Sequence, residues 1–191
     1  MNGSVEDKGA LHPPSAAATT ALRPMVYASL FAALMAAGAY MAIPIGPVPI
    51  VLQNMFVFLS GLLLGSRWGL TSVAVYLLAG IVGLPVFAGG TGGIGRIFGP
   101  TGGFLLGYLP VVFLVGRMAE RLPRRMVWDV AAMTAGAMVL YACGVAWLAA
   151  VTGLPPAKAL ALGMAPFLPG DALKIAAAAL ITRAVRPVMN T

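Results

Sequence analysis

Six stretches almost free of charge divide this sequence, and they decide which solvent the chain can fold in. They run over residues 24–43, 50–64, 68–84, 101–116, 127–151 and 170–185. A helix crossing a bilayer needs roughly 20 apolar residues, and several of these runs are shorter. Such lengths imply a compact bundle, or helices that stop below the membrane surface and leave a hollow there. Between the runs there is little to show to water: 9% of residues are charged and 60% are apolar, where a soluble domain carries roughly 25% charged residues. The expected fold class is therefore all-α and polytopic, with residues 23–187 forming one six-helix membrane domain. Residues 1–22 read as a disordered polar tail, without the leading basic and apolar regions of a cleaved secretion signal.

The basic residues set the orientation. With the N-terminus inside, the inner connections hold Lys8, Arg23, Arg67, Arg117, Arg121, Arg124, Arg125, Arg183 and Arg186, while Arg96, Lys158 and Lys174 fall outside. Nine against three places both termini in the cytoplasm by the positive-inside rule. The net charge of +7 is spread over short clusters without interleaved aromatics, which excludes a nucleic-acid surface. Cys143 is the single cysteine and His12 the single histidine, so neither an intramolecular disulfide nor a cysteine-based metal site is expected. No catalytic dyad or phosphate-binding P-loop is visible. Gly90-Thr91-Gly92-Gly93-Ile94-Gly95 spells a dinucleotide fingerprint, but it lies between two membrane spans rather than inside a βαβ unit, where alone it carries meaning.

The polar groups that lie within or beside the apolar runs are the candidates for function. A charge inside the bilayer costs at least about 2.5 kcal/mol and is usually paired or functional. Asp171 and Lys174 open the last run three residues apart, on one helical face. Two readings are open: a helix-capping carboxylate with a local lysine partner, or a polar site offering an acceptor and a donor to a ligand. Arg96 lies in the glycine-rich connection Pro85–Pro100, which is too apolar for a solvated tether and suits a lid over a pocket. Its guanidinium fits either a ligand carboxylate or a lipid phosphate. Gln53 and Asn54 open the second run, where buried amides bond a neighbouring helix; for Gln53 a ligand is the alternative. Asp129, among arginines, reads as an interfacial ion pair. Ala28, Ala32 and Ala36, like Ala33 and Ala37, recur every four residues. Such stripes allow close helix approach, within this bundle or to a partner.

Four segments in order resemble the BioY family, the biotin-binding S components of energy-coupling factor transporters. They are Ile43-Pro44-Ile45-Gly46-Pro47-Val48-Pro49-Ile50 with Gln53, Gly83-Leu84-Pro85-Val86-Phe87-Ala88-Gly89-Gly90, Gly99-Pro100-Thr101-Gly102-Gly103-Phe104, and Pro169-Gly170-Asp171 with Lys174. The resemblance spans about residues 25–185. It implies a six-helix S-component bundle in the bacterial cytoplasmic membrane that captures biotin from outside. It implies as partners a transmembrane coupling protein and two ABC-type ATPases, with no cofactor and no catalysis by this chain. It further implies ligand contacts from Asp171 and Lys174, with Gln53, Phe87 and Arg96 beside them, and coupling-protein contacts from Ala28, Ala32 and Ala36. Competing readings are a membrane scaffold, or a membrane-embedded enzyme using Asp171 as acid or base.

Overall fold

The computed structural model describes residues 16–44 and 47–189. Residues 1–15 of the expected tail, and Ile45 and Gly46 of the proline-rich segment, lie outside the described residues. The elements in chain order are α1 (Ala16–Tyr40), β1 (Ala42–Ile43), β2 (Ile50–Val51), α2 (Gln53–Ile81), α3 (Gly95–Phe98), α4 (Gly102–Arg121), α5 (Met126–Thr152), α6 (Pro156–Gly163) and α7 (Leu168–Met189). α1 begins inside the stretch expected as tail, where Ala16, Ala17, Ala18 and Ala21 favour helix.

Stretches in α1, α2, α4 and α5 are each long and apolar enough to cross a membrane, and α6 with α7 gives a fifth span if that pair, bent by 47°, counts as one. The protein is thus a helical integral membrane protein. Its outer surface agrees: Leu30, Leu78, Phe113, Met138, Leu173 and Leu180 are all exposed. An apolar exterior of this extent fits lipid rather than water.

The second and third apolar runs fall within α2, but α2 is not a straight rod. Gly65 interrupts it with φ 77° and ψ −175°, a backbone conformation that side-chain-bearing residues avoid. Residues on either side of this break come together. A methyl group placed on Gly69 would lie 3.2 Å from the Ser60 carbonyl oxygen, although nine residues along one helix would separate them by roughly 13 Å. The chain therefore doubles back at Gly65. Glu120 of α4 secures the reversal, its Oε1 accepting the Ser66 backbone N–H at 2.6 Å and the Ser66 hydroxyl at 2.8 Å. The first N–H groups of the returning half have no partner within their own helix, so this carboxylate supplies one.

Close packing around α4 makes the core. α4 lies against both α2 and α5, while α1 and α7 also pack on α2. Val111, Val112 and Val115 of α4 are fully buried, with Phe58, Val73 and Met133 around them. Glycines bring the helices into contact here: a methyl group on Gly116 would sit 2.4 Å from the Ser66 nitrogen.

At the other end of the bundle the chain departs from pure helix. The expected first run ends, and the second begins, in a two-stranded antiparallel ribbon pairing Ala42 with Val51 and Ile43 with Ile50. Pro44, Pro47 and Pro49 cannot sustain a helix, and the β-branched residues beside them accept an extended chain. Two short helices, α3 in the glycine-rich connection and α6 before the last span, also go beyond the sequence reading.

Candidate ligand-binding site

The ribbon, the glycine-rich connection, the ends of α2, α4 and α7 and the middle of α5 line a cavity of about 370 Å³, within the range of small-molecule sites. Gln53, Phe87, Arg96, Asp171 and Lys174 all line it. Five positions chosen from three separate stretches of sequence are thus brought together.

Asp171 is the most heavily bonded group in the cavity. Its side chain is almost fully buried, and the Lys174 ammonium lies 2.8 Å from Oδ1. Asn54 Nδ2 also donates to Oδ1, at 2.9 Å, and the Tyr141 hydroxyl donates to Oδ2 at 2.5 Å. Among the described residues its carboxylate takes side-chain donors from α2, α5 and α7 rather than capping its own helix. That coordination explains how a charge survives there: a buried ion pair is tolerable only when further hydrogen bonds satisfy its remaining valences. Lys174, with three donors, has used one.

Two of the lining residues carry an unmatched polar atom. Gln53 Nε2 and Asn54 Oδ1 are buried and lack a hydrogen-bond partner among the described residues. A buried donor or acceptor left in this way costs about 1–3 kcal/mol; the Gln53 amide lies beside the Tyr76 hydroxyl. The Tyr108 hydroxyl, from the middle of α4, also opens on the cavity without a protein partner among the described residues.

The glycine-rich connection folds as a compact cover. Phe87 is buried, meets Tyr76 edge to face with centroids 5.6 Å apart, and fills the space over Gly80, where a methyl group would lie 2.0 Å from its ring. Gly89 and Gly90, both at φ +70°, turn the chain so that the Phe87 N–H reaches the Thr91 carbonyl at 2.8 Å. The Tyr40 hydroxyl bonds the Pro85 carbonyl at 2.6 Å and ties the connection to α1, while Trp147 Nε1 bonds the Gly99 carbonyl at 3.0 Å. Arg96, on α3, is exposed at the mouth of the cavity. Its guanidinium makes no hydrogen bond or ion pair with the described residues.

Asp129 does form the expected ion pair, with Arg186 of α7 at 2.8 and 3.0 Å. The alanine stripes divide. Ala28 and Ala32 are buried within the bundle and Ala36 is half-buried, whereas Ser29, Ala33 and Ala37 form the exposed row.

Residues 11–191 match the BioY family. The chain belongs to the BioY family. Its relatives in that family include the Thermotoga maritima biotin transporter BioY, 42% identical over 84% of this chain and 94% of that protein. The Rhodobacter capsulatus biotin transporter BioY is also 42% identical, over 82% of this chain and 89% of its own length. A crystal structure of the S-component for biotin from an ECF-type ABC transporter superposes with a TM-score of 0.84 at 30% identity, covering 88% of this chain and 93% of that one.

Tyr141, Tyr108, Phe104 and Phe167 line the cavity and were missed by sequence reasoning. A tyrosine in the middle of an apolar span carries a usable signal, because its hydroxyl needs a partner there. Phe104 and Phe167 carry none, being ordinary apolar residues.

Proposed function

We propose that this chain is the substrate-binding subunit of a biotin uptake system, holding biotin in the cavity with its ureido ring inward and its valerate at the mouth. The arrangement of charge carries this reading. Asp171 and Lys174 neutralise one another on the cavity wall, which leaves Arg96 as the uncompensated charge among the residues lining the cavity. Such a site suits a ligand with a neutral polar head and an anionic tail. A cyclic urea offers two N–H donors and one carbonyl acceptor, matching the open valence of Asp171 Oδ2, the free Asn54 Oδ1, and the spare donors of Lys174 and Gln53. Phe87 covers the apolar thiophane ring, and Arg96 receives the carboxylate in a two-pronged contact.

The membrane reading is a six-helix bundle with both termini in the cytoplasm, counting the two halves of α2 separately. Arg67, Arg117, Arg124, Arg125 and Arg186 gather at the end opposite the cavity, which favours that end as cytoplasmic. The cavity then opens outward, in a bacterial cytoplasmic membrane. Energy comes from a coupling protein with two ABC-type ATPases, since this chain carries no ATP motif. The coupling protein docks on the exposed row Ser29, Ala33 and Ala37, where small side chains let another helix approach. Ala28 and Ala32 are buried within the bundle, which supports this row over the expected Ala28, Ala32 and Ala36.

Biotin binding by Asp171→Asn and Lys174→Ala tests the site. Weakened binding is expected in both; unchanged affinity in both would remove the assignment. Mass spectrometry of the ligand carried through purification in mild detergent is expected to find biotin.

A further inference from the structure

A second cavity, of about 500 Å³, lies between the start of α5 and the end of α7, on the opposite end of the bundle from the ligand cavity. Arg124, Arg125, Arg183 and Arg186 line it together with one carboxylate, Asp129. Both oxygens of that carboxylate are already taken by Arg186. Arg124, Arg125 and Arg183 therefore bring three uncompensated positive charges to one hollow, and none of them has an ion pair or side-chain hydrogen bond among the described residues.

The surroundings narrow the counter-ion. Directly beside the hollow, on the first turn of α5, Met126, Val127 and Trp128 are 40%, 70% and 39% exposed. Large apolar side chains in that position rest against acyl chains, and tryptophan favours the headgroup level of a bilayer. Guanidinium groups bind phosphate oxygens in pairs, and basic pockets between membrane helices accommodate anionic headgroups.

We propose that this cavity binds the phosphate headgroup of an anionic phospholipid, held by Arg124, Arg125 and Arg183, with its acyl chains against Val127 and Trp128. Arg186 takes no direct part, because Asp129 holds it in place as one wall.

The test uses the full chain, delipidated in detergent and then offered phosphatidylglycerol or phosphatidylcholine, with retained lipid counted by native mass spectrometry. Phosphatidylglycerol is expected to be retained preferentially. Arg124→Gln, Arg125→Gln and Arg183→Gln should each weaken that preference about fivefold, while helical circular dichroism remains unchanged. Arg121→Gln, an exposed arginine of the same end outside the cavity, should leave it intact. Equal retention of the two lipids, as would follow if the hollow served an acidic protein partner, would overturn the proposal. So would an equal loss in Arg121→Gln, which would reduce the effect to general surface charge. Displacement of phosphatidylglycerol by an equal concentration of inorganic phosphate would assign the arginines to a free anion, and would likewise overturn it.

Discussion

The two buried carboxylates at opposite ends of α7 are solved in different ways. Asp129 meets Arg186 across two helices, fork to fork at 2.8 and 3.0 Å, and both oxygens are engaged by a single rigid partner. Asp171 meets Lys174 one turn away on the same helix, with Asn54 and Tyr141 completing its shell. The first arrangement is closed and ties α5 to α7. The second is open: Lys174 keeps spare donors, Asp171 Oδ2 keeps a lone pair, and both border a cavity. A saturated pair makes a clamp, and an unsaturated pair of similar burial makes a site.

That contrast can be broken by substitution at each end. Asp171→Ala should have the largest effect, because it removes a ligand contact and leaves the Lys174 ammonium buried without its counter-charge. Loss of one member of a buried pair costs about 3–5 kcal/mol, and biotin affinity measured by calorimetry should fall by about a hundredfold or more. Arg186→Ala should instead lower the melting temperature, yet hold biotin affinity within about twofold, since sites this far apart act independently. A large affinity loss there would end the distinction between clamp and site. Tyr141→Phe removes one hydrogen bond to Asp171 without disturbing packing, and should weaken biotin binding about tenfold, as expected for a hydrogen bond to a charged group. The smallest effect belongs to Glu120→Gln, which weakens the cap on Ser66 at the Gly65 reversal. Thermal unfolding should register a loss of about 1 kcal/mol with biotin affinity unchanged.

Some of this was legible in sequence. Asp171 and Lys174 stood out because the bilayer penalises charge and their spacing puts them on one face. Arg96 stood out because a glycine-rich connection that apolar would not otherwise carry an arginine. Phe87 was reached by family resemblance alone; its place against Gly80 depends on a contact that no local pattern announces. The reversal near Gly65 was legible as an inner connection carrying Arg67 between two runs, whereas the ribbon at Ala42–Ile43 and Ile50–Val51 was missed. Periodicity over two residues is too short to register, and the prolines between them say only where helix stops. Two alanine rows, one helical position apart, were equally visible. Their spacing shows that something packs closely, but not which row faces the bundle, because that depends on where α2 lies. Tyr141 hid for a related reason: its partner is 30 residues away.

The proposed site has a neutral polar wall inside and the Arg96 guanidinium at its mouth. Calorimetric titration of biotin and of its uncharged amide into the purified protein and into Arg96→Ala tests that layout directly. The unmodified chain should bind the amide at least tenfold more weakly than biotin, the size of one charge-assisted contact. Arg96→Ala should bind the two equally, at the weaker level. If Arg96→Ala still prefers biotin by the full margin, the carboxylate lies elsewhere, and the proposed orientation of the ligand is wrong.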